Sequence, residues 1–341
     1  MKSYYNCTAF EGEFQIKENF FIKQDELFLR EVKKDSSASF TKKHVEYKCH
    51  WRKQENFNSK KPTIIMPTRN MKDLVEKTIS NLEQHKVTSH CNVVIVDDRS
   101  SEDIESVSKN YSYLRVDNDK GFNFSMLNNI AALIAKKLGS AQMILWNNDL
   151  WTSSETNFLE LLRRHNESGS TVSGSKLLYP PQDISFINKE DSHNIQSTYP
   201  HMLGKWRNTV QYGGTDFMPL MPRFQTLSPY HYKRFASPKD PRVNCDKGVS
   251  CLTGALMVIE LQKFMELGGF NPSLSKNFQD VDFCLKVIDQ NLGCHYFGKD
   301  ISFYHDESVS LSGSKKNDPQ LLNDEVLFGK IWNDKIAKLV M

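Results

Sequence analysis

The sequence predicts an α/β fold in which a mostly parallel sheet is flanked by helices. Two observations carry this prediction. From residue 62 onward apolar strands alternate with amphipathic helical stretches, and polar clusters follow the ends of three strands. Strands joined by helices are typical of right-handed crossovers and parallel pairing. The composition of the 341 residues, 39% hydrophobic and 25% charged, excludes collagen-like and wholly disordered chains.

The charge of the chain is nearly balanced, with 44 Lys plus Arg against 41 Asp plus Glu. This balance argues against a dedicated nucleic-acid binder. Every apolar stretch is shorter than the roughly 18 residues of a membrane span. Because the first residues lack the apolar core of a secretory signal, we expect a cytoplasmic protein, with peripheral contact at the inner face of the membrane left open. The seven cysteines, without a C-x-x-C pair, suit such a reducing compartment.

The first 60 residues differ in composition from the rest of the chain. They contain 12 Lys or Arg and 9 Asp or Glu, so the positive excess lies here and the remainder balances at 32 against 32. Aromatic and charged residues alternate in this segment, which predicts short strands. We expect an N-terminal appendage over residues 1–60 with a structural role. The weaker alternative is a basic surface for a partner or an anionic lipid headgroup.

The regular part of the sheet is predicted over residues 62–150. The hydrophobic pattern favours strands at residues 63–67, 93–96, 113–116 and 143–146, and helices at residues 71–87 and 124–138. In open α/β sheets, ligands bind at the carboxyl ends of the strands. The polar clusters at residues 67–70, 97–98 and 147–149 occupy these ends.

The second part of the chain is less regular. After a helix at residues 155–166, residues 179–249 are rich in Pro, aromatic residues and isolated Gly, which is typical of binding loops. Regular structure is then expected as a strand at 251–259, a helix ending at 267, a helix from 279, a last strand at 294–297 followed by the segment 301–305, and a helix at 319–339.

The acidic residues at the strand ends indicate a site for a phosphorylated ligand and a metal. Asp149 follows the predicted strand at residues 143–146. Its carboxylate is suited to hold Mg2+ or Mn2+ against a diphosphate, because hard cations prefer oxygen ligands. The alternative is that residues 147–149 form only a turn and cap the next helix.

The motifs resemble those of the GT-A-fold glycosyltransferases of family 2, inverting enzymes that build bacterial polysaccharides. The resemblance runs from about residue 62 to residue 305. It begins with TIIMPTRN at residues 63–70, similar to the family's opening strand and P-T-x-N turn. VIVDDRSSED at residues 94–103 is similar to its V-D-D-x-S-x-D segment, whose acidic residues hold the base and ribose of the nucleotide.

Further blocks follow in the family's order. Asp119, Gly121 and Asn128 resemble the N-x-G-F segment and its downstream Asn, with Asp119 where Asn is usual. LWNNDL at residues 145–150 is similar to the metal-binding D-x-D segment in its N-x-D form, in which only Asp149 keeps a carboxylate.

The last blocks resemble the family's G-A, G-G-F-D, E-D-x-D-x-x-x-R and closing Y-H segments. They read GALMVI at 254–259, GGFN at 268–271, QDVDFCLK at 279–286 and Tyr304 with His305. Gln279 and Lys286 replace the usual Glu and Arg. The carboxylate that corresponds to the family's catalytic base is Asp280.

The resemblance implies a domain organisation and a set of site residues. It implies a Rossmann-like GT-A domain over residues 61–310, divided into a nucleotide-binding half (61–150) and an acceptor-binding and catalytic half (151–310), and followed by a C-terminal helical segment (311–341). Asp280 is expected to take the acceptor proton, and Asp149 and His305 to bind the metal. The expected nucleotide-sugar contacts are Thr68, Arg69, Asn70, Asp97, Asp98, Asp119, Gly121, Asn128 and Asn148.

The implied function is transfer of a sugar from a UDP- or dTDP-sugar to a glycan or lipid-linked acceptor in surface polysaccharide synthesis, with Mn2+ or Mg2+ as cofactor. A single displacement of this kind needs one base and one metal. We expect acceptor selection among the aromatic residues of the irregular region, namely Tyr199, His201, Trp206 and Tyr212.

Alternatives remain open at several positions. One of Asp97 and Asp98 is expected to face the nucleotide, and the sequence does not decide which. Asp280 could serve only to stabilise a helix N-terminus, and His305 could be a core histidine. For the whole chain, the alternatives are a catalytically silent GT-A-like glycan-binding or assembly subunit and a sugar-1-phosphate nucleotidyltransferase. The nucleotidyltransferase would need a Gly-rich loop where this chain has PTRN at residues 67–70.

Overall fold

The computed structural model describes residues 12–17, 46–117, 121–186, 195, 199–219, 227–306, 318–332 and 335–340. It confirms the predicted α/β fold, with a central ten-stranded sheet flanked by helices. Asp119, one of the expected nucleotide contacts, lies outside the described residues.

Four parallel strands form the centre of the sheet: β3 (Thr63–Thr68), β4 (Asn92–Asp97), β5 (Ser112–Asp117) and β6 (Gln142–Trp146). Their spatial order is β5, β4, β3, β6. β3, β4 and β6 are mostly apolar, as is typical of a parallel sheet covered by helices, whereas β5 carries Arg115 and Asp117 towards its carboxyl end. Thr68 pairs with Asp97 and Asp97 with Arg115, so the carboxyl ends of three strands meet at one edge.

Two strands from the first 60 residues extend this sheet. β1 (Gly12–Lys17) pairs antiparallel with β2 (Glu46–Arg52), and β2 pairs antiparallel with β5. Tyr47, Cys49 and Trp51 alternate along β2 and are buried in the main core. This alternation is the period of a strand with one buried face. The segment before residue 61 therefore supplies part of the central sheet.

The other side of the sheet is mixed. It contains β8 (Val172–Ser175), β13 (Asp246–Gly248), β14 (Leu256–Glu260) and β15 (Cys294–Phe297). β14 lies antiparallel between β6 and β8, while β8 and β15 are parallel. The strand expected at residues 251–259 begins only at Leu256. The preceding loop differs from a strand because its backbone binds site residues, as described below.

Two smaller sheets complete the strands. One consists of β7 (Leu150–Thr152), β9 (Leu177–Leu178), β10 (Val210–Tyr212) and β16 (Phe303–His305). The other is the antiparallel pair β11 (Thr215–Pro219) and β12 (Leu227–His231). The region expected to lack regular structure thus contains β10 to β13. These strands have three to five residues each, too few to produce a clear sequence period.

The helices are α1 (Lys72–Gln84), α2 (Val87–His90), α3 (Phe124–Lys137), α4 (Glu155–Ser168), α5 (Leu261–Glu266), α6 (Gln279–Asp289), α7 (Pro319–Trp332) and α8 (Ile336–Val340). Short 3-10 turns lie at Glu105–Ser108 and Pro200–Met202. The single helix expected at residues 319–339 is described as α7 and α8. Among the described residues, no helix is both long enough and apolar enough to cross a membrane.

Candidate active site

Asp97 and Asp98, at the end of β4, are both fully buried but have opposite surroundings. Asp97 Oδ1 accepts a hydrogen bond from the Ser100 backbone N–H at 2.8 Å. Its Oδ2 accepts from the Tyr113 hydroxyl at 2.6 Å and from Arg115 Nη1 at 3.1 Å. Asp97 therefore holds the loop after β4, and its oxygens have little capacity left for a ligand.

Neither carboxylate oxygen of Asp98 accepts a hydrogen bond within the part of the chain that the structure describes. Arg69 Nη1 lies 3.6 Å from Oδ2, and Arg99 Nε lies 3.6 Å from Oδ1. Burial raises the pKa of Asp98 to about 6, although the two guanidinium groups act in the opposite direction. A buried carboxylate without hydrogen bonds is unfavourable, so Asp98 has the capacity to bind a ligand that donates them.

Thr68, Asn70 and Asn148 bind one another or the neighbouring loop. Asn148 Nδ2 donates to Thr68 Oγ1 at 2.9 Å, and Thr68 Oγ1 donates to the Asn70 carbonyl at 3.1 Å. Asn70 Oδ1 accepts from the Ser101 backbone N–H at 2.8 Å. These residues join the ends of β3, β4 and β6. In this structure they shape the site, while the partly exposed Arg69 side chain lies beside Asp98.

Glu102 closes the same loops in a way that sequence reasoning missed. Its carboxylate accepts hydrogen bonds from the backbone N–H groups of Met71 and Lys72, at 3.1 and 2.7 Å. Met71 is the N-cap of α1, and its own side chain makes no capping bond. Glu102 lies about thirty residues further along the chain, too far for a capping pattern read from local sequence.

Gly121 and Asn128 are not joined to Asp98 by a hydrogen bond in the described residues. Gly121 has φ +104°, a conformation that L side chains rarely adopt, so glycine is required there. Asn128 is fully buried on α3, and its Nδ2 donates to the Phe124 carbonyl at 2.8 Å. Its Oδ1 is buried without a hydrogen bond. Both residues contribute to packing and backbone geometry in the structure.

Asp149 and His305 are brought together by the pairing of β7 with β16, in which Leu150 lies opposite His305. Both side chains are buried, at 5% and 6% exposure, and His305 Nε2 lies 3.1 Å from Asp149 Oδ1. Gln211 Oε1 lies 3.4 Å from the other ring nitrogen, Nδ1. Asp149 Oδ1 accepts no well-aligned hydrogen bond in the described part of the chain.

This donor pair fits a divalent metal. A carboxylate oxygen and an imidazole nitrogen are ligands that Mn2+ accepts. The acceptor at Nδ1 favours the tautomer with the proton on that nitrogen, so that the Nε2 lone pair can accept from Asn147 Nδ2, 3.4 Å away, or bind a metal ion. Over the described residues, no group of three or more His, Cys, Asp or Glu is arranged to hold a metal. Further ligands would have to come from other groups, such as the oxygens of a bound diphosphate.

Asp280 lies in the first turn of α6 and is partly buried. Its Oδ2 accepts a hydrogen bond from the Gly254 backbone N–H at 2.7 Å, and its Oδ1 accepts from Val281 N–H at 2.8 Å. Burial raises its pKa to about 6, while these backbone donors act in the opposite direction. A carboxylate with such a pKa is ionised at neutral pH and is basic enough for general-base catalysis.

The loop at residues 251–255 connects Asp280 to the Asp149 segment. Gly254 binds Asp280, and the next carbonyl, that of Ala255, accepts a hydrogen bond from the Asn147 backbone N–H at 3.1 Å. This role explains why β14 begins at Leu256 and not at residue 251. The predicted base and the predicted metal ligands are thus parts of one hydrogen-bonded arrangement.

The aromatic residues proposed for acceptor selection divide into two groups. Trp206 and Tyr212 are fully buried, as are Trp146 and Trp151. The rings of Trp146, Trp206 and Tyr212 belong to hydrophobic clusters. His201 is exposed and Tyr199 partly exposed. Of the four residues proposed, Tyr199 and His201 are therefore the ones that reach the surface in this structure.

Comparisons with known proteins bear on the fold. No protein-family model and no curated protein sequence matches the chain. The crystal structure of GalNAc-T7 with UDP, GalNAc and Mn2+ is similar, with a TM-score of 0.51 and 12% identity over 75% of this chain and 45% of that enzyme. The mannosyltransferase PcManGT from Pyrobaculum calidifontis, in complex with GDP-Man and Mn2+, gives a TM-score of 0.45 and 12% identity over 86% of this chain and 67% of that one.

The likeness to GalNAc-T7 concerns architecture. This chain spans less than half the length of that enzyme, and the sequences share few residues. At this level of identity the comparison shows the fold alone. The chain has the GT-A fold of glycosyltransferases, as the sequence predicted.

Proposed function

We propose that the chain is an inverting, metal-dependent glycosyltransferase of family 2 that uses a nucleoside diphosphate sugar as donor. The observation that carries the proposal is the buried pair of Asp149 and His305 at the end of β6, with the carboxylate oxygen facing the imidazole nitrogen at 3.1 Å. In a GT-A fold, a metal-binding pair at this edge of the sheet lies where ligands bind. The UDP and Mn2+ in the GalNAc-T7 structure support the same chemistry for this chain.

Asp149 and His305 would hold Mn2+ or Mg2+. When bound, the ion would neutralise charge that develops on the departing diphosphate. Gln211, which faces His305 Nδ1, would keep the ring in the orientation that presents Nε2 to the ion.

Asp98 is our candidate for the contact to the nucleotide, rather than Asp97. Its two oxygens lack hydrogen bonds in the described structure, whereas those of Asp97 accept three. Hydroxyl and N–H groups of a ribose or base would supply the missing donors. Since Asp98 is fully covered in this structure, the adjacent loops and the Arg69 side chain would have to move aside when the nucleotide enters.

Asp280 would act as the base. The acceptor hydroxyl oxygen forms a bond to the anomeric carbon while the bond from that carbon to the diphosphate oxygen breaks, and the electron pair leaves with the diphosphate. The hydroxyl proton passes to a carboxylate oxygen of Asp280. Its Oδ2 accepts from the Gly254 N–H and its Oδ1 from the Val281 N–H, and a carboxylate oxygen has a second lone pair that can take the proton.

We propose a glycan or lipid-linked oligosaccharide of surface polysaccharide synthesis as the acceptor. Tyr199 and His201 are the candidates for contacting it, because they reach the surface near the irregular region. The expected cytoplasmic location, with peripheral membrane contact, belongs to the same proposal.

Calorimetric titration with UDP, dTDP, GDP and CDP, each with Mn2+ and with EDTA, tests the proposal. We expect one nucleotide to bind with a dissociation constant in the micromolar range, and only with the metal. Asp149→Ala should remove the metal-dependent part of binding. Asp73→Ala, which changes an exposed carboxylate on α1, serves as the matched control and should bind as the original protein does. Failure of all four nucleotides to bind would contradict the proposal and favour a silent glycan-binding or assembly subunit.

A further inference from the structure

The loop that precedes α6 is held in an unfavourable backbone conformation. Phe278, the N-cap residue of α6, has φ 63° and ψ 0°, and its side chain makes no capping hydrogen bond to the helix. A left-handed conformation is unfavourable for a residue with a side chain, because the Cβ atom approaches the following carbonyl oxygen. Such a conformation persists only where surrounding contacts determine it, so the contacts around residues 276–278 are informative.

The contacts to this loop come from α7 near the C-terminus. Asp324 Oδ2 accepts hydrogen bonds from the backbone N–H groups of Lys276 and Asn277, at 2.7 and 3.0 Å. Asp324 is 2% exposed, so water does not compete for these bonds. Phe328, one turn further along α7, stacks on Phe278 with ring centroids 4.7 Å apart. The helix therefore fixes both the backbone and the aromatic side chain of the loop.

Helix α7 also contacts α6 itself, just beyond Asp280. Trp332 Nε1 donates a hydrogen bond to Asp282 Oδ1 at 2.9 Å. Asp282 is fully buried, and its Oδ2 lies 3.1 Å from Lys286 Nζ. Hence α7 binds the chain at residues 276–278 and again at residue 282, and Asp280 lies between these two points.

The opposite side of the loop is bound to α3. The Phe124 backbone N–H donates to the Ser275 carbonyl at 2.8 Å, and Ser125 Oγ donates to the Leu274 carbonyl at 2.5 Å. The loop is thus enclosed between α3, which packs on the central sheet, and α7. Removing the α7 contacts would leave this loop attached on one side only.

We propose that α7 positions Asp280, with Asp324 and Trp332 as the positioning residues. This inference rests on the proposed function, in which Asp280 is the base. Neither residue touches Asp280 or a substrate. They act by fixing the start of α6, so that the Asp280 carboxylate stays on the Gly254 N–H and faces the acceptor. A displacement of about 1 Å in a reacting group can reduce the rate roughly 100-fold.

A loosened α6 would also change the titration of Asp280. Burial is the main cause of the raised pKa, so entry of water beside a displaced Asp280 would lower the pKa toward its ordinary value. Among the described residues, the groups that act on this carboxylate are the backbone N–H groups of Gly254 and Val281 and the thiols of Cys251 and Cys284. The substitutions below leave all of these unchanged.

Trp332→Phe and Asp324→Asn are the variants that test the inference. Trp332→Phe keeps a buried aromatic ring but removes the N–H donor together with part of the ring volume. Asp324→Asn keeps one oxygen that can accept. The assay is release of nucleoside diphosphate, with water as acceptor, from UDP-glucose, UDP-GalNAc, dTDP-rhamnose and GDP-mannose in the presence of Mn2+. Asn323→Ala and Lys330→Ala, at exposed positions of α7, are the controls.

For Trp332→Phe we expect kcat to fall roughly 10- to 100-fold. The dissociation constant of the nucleotide with Mn2+ should stay unchanged, and the acidic limb of the pH profile should move to lower pH. The kcat of Asp324→Asn should fall less than that of Asp324→Ala, because the amide oxygen of Asn can still accept a hydrogen bond from the loop. The two controls should behave as the original protein does in both kinetics and thermal unfolding.

The inference and the proposed function fail in different ways. If Asp280→Asn kept full turnover, the base assignment itself would be wrong. The other outcome is that Asp280→Asn is inactive, while Trp332→Phe and Asp324→Asn unfold at a lower temperature but keep the original kcat and the original acidic limb of the pH profile. In that case α7 would have a structural role only, and the inference would be overturned.

Discussion

Helices α1 and α6 begin in the same unusual way but are completed differently. Each follows a residue with φ 63°, Met71 before α1 and Phe278 before α6, and neither residue caps its helix with its own side chain. In both cases a carboxylate from a later segment accepts hydrogen bonds from the backbone at the helix start. Glu102 does so for α1 and Asp324 does so for the loop of α6. Glu102 is exposed, whereas Asp324 is buried.

This difference matches what each loop has to do. The loops beside α1 cover Asp98, the candidate nucleotide contact, so they must open for the ligand to reach it. An exposed carboxylate exchanges its protein donors for water at little cost, which permits such opening. The loop of α6 carries the candidate base, which has to stay in one place. The buried Asp324 carboxylate and the aromatic stack keep it there, because breaking the cap would leave the buried carboxylate and two partly buried backbone N–H groups without these hydrogen bonds.

The largest expected effect separates the two loops by function. Asp280→Asn should lower kcat by roughly 10²- to 10⁴-fold, because an amide cannot take the acceptor proton. Nucleotide binding with Mn2+ should change by less than about twofold, well under the roughly 1.4 kcal/mol that a tenfold change in affinity represents. Turnover of the unsubstituted protein should decline as the pH falls below about 6, since protonated Asp280 is not a base. Steady-state kinetics and calorimetry measure both quantities.

Asp98→Asn is the counterpart on the nucleotide side. It should weaken nucleotide binding by about tenfold and leave the turnover of bound donor nearly unchanged, because in the proposed function Asp98 would contact the part of the donor that does not react. A variant of Asp98 that lost turnover without losing affinity would contradict this division of roles.

The next effect concerns stability and its dependence on pH. The pKa of Asp98 is about 6 in the folded protein, above its ordinary value of 3.8. The folded state therefore binds this proton more tightly than the unfolded state, and the Asp98 contribution to stability is lost as the pH rises from about 4 to about 6. Asp98→Asn should raise the free energy of unfolding at pH 8 by up to about 3 kcal/mol and change it little at pH 4.

Asp97→Asn provides the matched control for that measurement. Asp97 accepts hydrogen bonds from Ser100, Tyr113 and Arg115, so the amide should lower the free energy of unfolding by roughly 1–3 kcal/mol. Urea unfolding of both variants at two pH values tests the contrast. Equal destabilisation by both substitutions at pH 8 would mean that the Asp98 carboxylate accepts hydrogen bonds in solution from groups that the structure does not show.

The comparison of the two caps itself predicts a smaller difference. Asp324→Ala should lower the free energy of unfolding by roughly 1–3 kcal/mol, because two partly buried backbone N–H groups lose their acceptor. Glu102→Ala should cost less than about 1 kcal/mol, because water replaces an exposed cap. Chemical denaturation of both variants measures the difference. If the costs were equal, burial of the cap would not distinguish the two loops.

The sequence predicted the fold and the central strands because these depend on local pattern. Runs of β-branched residues alternate with helical periods, and β3 to β6 appear within one or two residues of the expected positions. The family resemblance also led us to expect Asp149 and His305 in one metal site, which stays a prediction. The two residues are far apart in sequence, and the pairing of β7 with β16 brings their side chains to within 3.1 Å.

Other features depend on long-range contacts that leave no local signal. The choice between Asp97 and Asp98 rests on Tyr113 and Arg115, which are on the neighbouring strand. Glu102 binds the start of α1, about thirty residues earlier in the chain. Asp324 binds the loop before α6, about fifty residues earlier. Without the third dimension, each of these is one acidic residue among many, so a capping role could not be read from it.

The smallest effect tests whether the left-handed caps are held by their surroundings. Met71→Gly should raise the free energy of unfolding by roughly 0.5–1 kcal/mol, because glycine adopts positive φ without strain. Phe278→Gly relieves the same strain but removes the stack on Phe328, so we expect a net loss of about 1 kcal/mol. Opposite signs for the two substitutions in urea unfolding would confirm that α7 stabilises the loop of α6 against its own backbone preference. A gain for Phe278→Gly would mean that the stack contributes less than the strain it opposes.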